Sequence, residues 1–220
     1  MRATRELNRD PLMPLSAHDE RLLKALAVAI VDRPRATLKD LAESAGVSKA
    51  TLHRFCGTRD NLVEMLETHG ETMLNQIVTA ADLEQSEPLD ALRRLIGGHL
   101  THREVLAFLM FQYRPDFLAP EGGGERWQSY VRALDAFFLN GQQKGVFRID
   151  ITAAVFTELF ITMICSMVDA ERRGRAASAN SASVSPTAAE CLKPCPEHGE
   201  ANSTFSSSQS MTKLLSGVTV

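Results

Sequence analysis

Residues 37–61 read TLKDLAESAGVSKATLHRFCGTRDN, and the fold turns on this stretch. Leu38, Leu41, Ala42 and Ala45 recur at helical spacing and give a short helix one apolar face. Thr37 is placed to cap it, and Asp40 stands three residues on, close to the capping-box pattern. Gly46 closes the helix, because glycine enters the left-handed region without steric cost. Val47 can bury the turn, and Ser48 caps a second helix, SKATLHRF, with Leu52 and Phe55 turned inward. Lys49, Ala50, Thr51, His53 and Arg54 are left on the outer faces, none of them acidic. A helix that enters the major groove needs that surface: slim near its start, with donors for phosphates and base edges. The pattern is a helix-turn-helix, and the plainer alternative is an αα-hairpin with no DNA role.

Charge is distributed to match. The chain of 220 residues has a formal net charge of −3. Residues 1–60 hold 11 Lys and Arg against 8 Asp and Glu, whereas residues 61–220 hold 13 against 19. The basic excess lies around the helix-turn-helix, and clustered cations, not total charge, set phosphate affinity. A hydrophobic fraction of 44% supports a packed core. The most apolar stretch, residues 151–168, carries Glu158 near its middle, so no membrane span is expected. The polar start, MRATRELNRD, lacks an apolar signal core, which predicts a cytoplasmic protein, and Met13 is an alternative start. The four cysteines, Cys56, Cys165, Cys191 and Cys195, form no CxxC pair, and neither a metal nor a cofactor is expected. No GxSxG, HExxH or glycine-rich fingerprint is present, so the chain does not read as an enzyme.

The rest of the chain reads as helices. Residues 1–16 carry no period and two prolines and read as a flexible arm. A first helix over 19–31 has the stripe Leu22, Leu23, Leu26, Ala27 and Ile30, and Pro34 blocks its continuation. Arg33 and Arg35, in the loop ahead of Thr37, are within reach of a phosphate or simply solvated. Thr58 caps a helix from Arg59 to about Ala81; roughly 20 residues at 1.5 Å each span ~30 Å, enough to link a DNA-reading head to a second domain. Gly70 within it reads as a surface glycine. Pro88 starts a helix that Gly97 and Gly98 interrupt or end. Residues 101–118 form a nearly all-apolar, hence buried, helix that Pro115 bends or ends, followed by a loop through Pro120 and three glycines. His99, His102, Arg103 and Glu104 read as a solvated polar face. Further helices are expected over 125–141 and, capped by Asp150 or Thr152, over 153–171. Residues 176–220 hold ten serines and five charged residues without helical period, which predicts a disordered tail of the kind a frameshift would leave.

The run L-A-x-x-A-G-V-S-K-x-T-L-H-R-F-x-G-x-R-D-N-L resembles the DNA-binding segment of the TetR family of bacterial repressors. His53 stands where that family usually carries Tyr, while Phe55 and the run Arg59, Asp60, Asn61 and Leu62 fit its pattern. Over residues 17–175 the runs FQYRPDFL, RWQSY and GQQKGVFRIDITAAVFTELFIT resemble members that repress multidrug efflux operons. The resemblance implies an all-α fold: a three-helix head (17–60) joined by a long helix to a helical regulatory and dimerisation domain (61–175). It implies a homodimer or higher homo-oligomer on double-stranded operator DNA, with recognition helices ~34 Å apart, controlling an efflux operon and the chain's own gene. The residues expected at DNA are Thr37, Ser48, Lys49, Ala50, Thr51, His53, Arg54 and Thr58. Family members usually hold an apolar small-molecule effector in the second domain, where Phe108, Phe111, Trp127, Tyr130, Phe137 and Met163 are candidates to line the pocket. The alternative keeps the fold as a helical interaction protein without DNA binding.

Overall fold

The computed structural model describes residues 16–113 and 124–175. The expectations for the arm before Ser16, Pro115, Pro120, the glycine loop, and the tail with Cys191 and Cys195 lie outside the described residues. Eight helices and no strand occur among the described residues: α1 (Ala17–Asp32), α2 (Leu38–Ser44), α3 (Lys49–Cys56), α4 (Arg59–Ala81), α5 (Pro88–Thr101), α6 (Arg103–Tyr113), α7 (Gly124–Gln143) and α8 (Ala153–Arg172).

Local chemistry sets the ends of these helices. Ser16 caps α1, its Oγ accepting the Asp19 N–H at 3.1 Å. The α2 capping box is complete: Thr37 Oγ1 accepts the Asp40 N–H at 3.3 Å, and Asp40 accepts the Thr37 N–H at 2.8 Å. Gly46, at φ 69°, ends α2; its N–H donates to the Glu43 carbonyl and the Val47 N–H to the Ala42 carbonyl. This paired arrangement satisfies carbonyls that the helix end leaves open. Ser48, Thr58 and Thr152 each accept an N–H three residues on and start α3, α4 and α8.

Three glycines behave differently from their sequence reading. α5 runs through Gly97 and Gly98 to Thr101, because Gly98 lies against Ile77 of α4; a Cβ there would stand 2.9 Å from Ile77 Cγ2. α7 likewise runs through Gly141, whose missing side chain makes room for the Phe147 ring. Gly70 is buried, not at the surface, with Leu109 of α6 seated where a side chain would be. In each case the glycine permits close packing and the helix continues.

The head is built from α1, α2 and α3 on the start of α4, around Leu23, Leu26, Ile30, Leu41, Leu52 and Leu62. α4 continues into the body, where it packs on α5, α6 and α7. The most extensive contact in the fold joins α1 of the head to α6 of the body, so the two share one continuous core. Between α7 and α8, Phe137, Phe138, Phe147 and Phe156 cluster with centroids 5.2–6.1 Å apart, the separations at which aromatic pairs attract. α8 is, by length and composition alone, apolar enough to cross a membrane, contrary to the sequence expectation. It lies here against α5, α6 and α7, with Phe156, Phe160, Ile161, Ile164 and Val168 buried. Only 28% of its apolar window is buried there, and Val155, Leu159 and Met163 remain exposed.

Candidate nucleic-acid interface

α3 is a helix of eight residues held on two buried side chains, Leu52 and Cys56, with Phe55 half-buried beside them. The Cys56 thiol donates to the Leu52 carbonyl at 3.3 Å, and burial pushes its pKa up. It is a packing thiol. The opposite face presents Lys49, Ala50, His53 and Arg54, all exposed. Among the described residues neither Lys49 nor Arg54 is in an ion pair, so both charges remain available to an external anion.

The four hydroxyl residues expected at DNA have structural work as well. Thr37 Oγ1 donates to Asp40 at 2.7 Å, and this contact, with the Thr37 N–H, holds the Asp40 carboxyl below its ordinary pKa. Thr37 is therefore committed to its cap on both its N–H and its hydroxyl. Ser48 Oγ accepts the Thr51 N–H at 3.0 Å and lies 2.8 Å from the Thr51 hydroxyl. Thr58 accepts the Asn61 N–H at 3.1 Å. The structure thus sorts the eight residues into an outward set (Lys49, Ala50, His53, Arg54) and a set that forms helix starts (Thr37, Ser48, Thr51, Thr58). Sequence reasoning missed Arg59 as a contact: its guanidinium donates to the Pro34 carbonyl at 2.9 Å, across 25 positions. No local pattern signals such a contact, because its partner is a backbone oxygen.

In the body, a cavity of about 20 Å³ is lined by Leu74, His99, Leu106, Leu109, Met110, Tyr130, Ile161, Ile164 and Cys165. Of the six expected lining residues only Tyr130 borders it. Phe108, Trp127 and Phe137 are core side chains, 0–3% exposed, while Phe111 (42%) and Met163 (36%) stand on outward helix faces. The aromatic positions were read from type, but helix rotation decides which of them face the cavity.

His99 overturns its sequence reading outright: it is 1% exposed. Its Nδ1 lies 2.7 Å from the Leu95 carbonyl and its Nε2 2.6 Å from the Tyr130 hydroxyl. A carbonyl only accepts, so Nδ1 carries the proton, and Nε2 accepts from Tyr130. Desolvation lowers the His99 pKa to about 4 and raises that of Tyr130, which keeps both groups neutral. His102, Arg103 and Glu104 are half-buried and not a solvated face. Arg103 reaches Glu171 of α8 at 2.9 Å. Among the described residues no group of three His, Cys, Asp or Glu is placed to hold a metal ion.

Comparison with known proteins gives this geometry its setting. No family model matches the chain. It is 81% identical over 170 residues to the HTH-type transcriptional regulator NfxB of Pseudomonas aeruginosa, covering 77% of this chain and 91% of that one. It is 34% identical over 99 residues to the HTH-type transcriptional repressor LfrR of Mycolicibacterium smegmatis, covering 44% and 51% of the two chains. Among solved structures, the TetR-like regulator LfrR in complex with proflavine superposes with a TM-score of 0.57 at 21% identity, over 74% of this chain and 89% of that one. AibR in complex with isovaleryl coenzyme A and operator DNA superposes with a TM-score of 0.54 at 19% identity, over 68% and 85%. With a helix-turn-helix head, a long connecting helix and an all-helical body, the chain belongs to the TetR family of transcriptional regulators.

Proposed function

We propose that this sequence-specific DNA-binding repressor acts as a homodimer on a palindromic operator and controls a multidrug efflux operon together with its own gene. The observation that carries the DNA-reading assignment is the outer face of α3: Lys49, Ala50, His53 and Arg54 are exposed, and the two permanent cations there are unpaired among the described residues. Arg54 and Lys49 contact phosphates or guanine edges, and His53 and Ala50 lie against bases or sugar. Ser48, Thr51, Thr37 and Thr58 keep the helix starts in place, with their N–H ends toward phosphate. The efflux operon follows from the resemblance in the runs over residues 17–175, and the 81% identity to NfxB supports it.

The dimer uses the outer face of α8, where Val155 (44%), Leu159 (54%) and Met163 (36%) are exposed at four-residue spacing. An apolar stripe of that kind on a globular surface marks an interaction site. An apolar effector would enter at the cavity beside His99 and Tyr130, which as it stands is too small for anything larger than a water molecule. Binding therefore requires the cavity to widen, and Leu106, Leu109 and Met110 of α6 form one of its walls. The solved LfrR complex, with proflavine bound, supports a small-molecule response of this type.

A mobility-shift titration with DNA upstream of the chain's own gene and of neighbouring efflux genes tests the reading. Salt-dependent binding that survives excess scrambled duplex is expected, weakened at least tenfold by Arg54→Ala with an unchanged unfolding midpoint. No binding to either duplex would instead favour the helical interaction protein without DNA binding.

A further inference from the structure

The loop between α1 and α2 carries two exposed arginines, Arg33 and Arg35. Neither is in an ion pair among the described residues. The nearby carboxylates are bonded mainly to other groups, although Arg33 is close enough to Asp40 to help lower its pKa. Asp32 pairs with Arg172 of α8 at 3.2 Å, and Asp40 is held in the capping box by Thr37. The loop itself is tightly shaped. The Ala36 N–H donates to the Arg33 carbonyl at 3.0 Å, closing a turn with Pro34 at its second position, where a fixed φ favours it. Arg33, Pro34, Arg35, Ala36 and Asp40 border an open recess of about 320 Å³.

Arg59 fixes this loop from the far side of the head. It is the first residue of α4, two positions after Gly57, where α3 ends. Its guanidinium is spent on the Pro34 carbonyl, a neutral partner, so the loop gains rigidity without losing positive charge. The turn that carries Arg33 and Arg35 is thus tied, through Arg59, to the junction that ends the recognition helix.

On the premise of operator binding by α3, we propose that Arg33 and Arg35 form a second contact point, a clamp for a DNA backbone phosphate beside the groove. Arg59 is a positioning residue that holds the clamp in register with α3. Guanidinium groups match phosphate oxygens two at a time. Contacts of this class set the register and orientation of a protein on the duplex without reading sequence. A pre-shaped loop loses little freedom on binding.

Salt titrations of the full chain on operator and scrambled duplexes test this. For Arg33→Gln/Arg35→Gln, the slope of log Kd against log salt falls by about 2, near 0.9 for the one phosphate lost at each of the two clamps of the dimer. Affinity for the two duplexes drops by the same factor, so their ratio is unchanged. Arg59→Met, which removes the donor but keeps the apolar stem, lowers operator affinity alone and adds nothing on top of the double variant. Arg59→Lys restores part of the effect. An unchanged slope in the double variant, while Arg54→Ala still weakens operator binding at least tenfold, overturns the clamp and leaves the repressor reading intact. A changed operator-to-scrambled ratio would mean base contact, against the clamp. Full additivity of Arg59→Met would make Arg59 a phosphate ligand itself, against the positioning role. Wild-type protein that does not discriminate at all removes the premise.

Discussion

His99 is a titratable ring inside an apolar body, edge-on to Phe160 at 5.4 Å and bonded to Leu95 and Tyr130. In the unfolded chain it protonates near its ordinary value of 6.5, whereas burial lowers the folded value to about 4. As pH falls the unfolded state therefore takes up the proton first. The His99 contribution is complete above about pH 6.5 and is lost on the way down to about pH 4, roughly 3 kcal/mol in all. Urea unfolding midpoints measured across that range should show this loss, and His99→Phe should flatten it. The same substitution leaves the buried Tyr130 hydroxyl without its acceptor, at a cost of about 1–3 kcal/mol at neutral pH. Tyr130→Phe in the same background should recover most of that cost, because it removes the unpaired group.

At the scale of single elements, the short recognition helix is the most exposed to loss. Eight residues cannot hold a helix in water alone, so α3 depends on its cap and on Leu52. Ser48→Ala removes the oxygen that accepts the Thr51 N–H and should cost about 1 kcal/mol. Hydrogen exchange should quicken at Thr51 and Leu52 before it changes in α4, and operator affinity should fall with it. α7 tests packing instead of capping. A Cβ at Gly141 would overlap Phe147 Cδ2, on a rigid ring inside the aromatic cluster. Gly141→Ala should destabilise the chain by about 3 kcal/mol, despite the better helix propensity of alanine, whereas an exposed glycine would gain. A thermal midpoint that rises in Gly141→Ala would contradict this packing.

The whole molecule is one body because α1 of the head lies on α6. Two histidines sit at that junction, His69 on α4 and His102 between α5 and α6, each with one buried ring nitrogen that has no hydrogen-bond partner among the described residues. Burial lowers both pKa values; Glu20 and Lys24 of α1 face both, and Glu104 faces His102. Both rings are neutral at pH 7, and the junction is complete above about pH 6.5. As pH falls below that value, protonation favours separation of α1 from the body. Hydrogen exchange across α1 should therefore rise as pH falls below about 6.5, and the rise should be smaller in His69→Gln/His102→Gln. Assembly is the other property at this scale. Leu159→Glu on the exposed face of α8 should shift the sedimentation profile to monomer with little change in unfolding midpoint, because Leu159 is 54% exposed in the single chain.

The helix-turn-helix was legible in the sequence because every force that shapes it acts within a few residues. Thr37 with Asp40, Gly46 with Val47, and Ser48 with Thr51 are contacts between near neighbours, and the inward Leu41 and Leu52 follow the helical period. The outward Lys49, His53 and Arg54 then follow by elimination. Much else was decided by partners that sequence spacing does not reveal. Gly70 reads as a surface position, and Gly98 and Gly141 as places where helices end, until Leu109, Ile77 and Phe147 fill the space above them. His99 reads as polar surface until Tyr130, 31 residues on, takes its second nitrogen. Arg59 meets Pro34, and Arg172 meets Asp32, across 25 and 140 positions. Local bonding and helical period determine where helices start and which face is apolar. How those helices rotate against one another is settled only by packing side chains from distant positions into one dense core, and that packing placed the cavity, the buried histidine and the arginine loop.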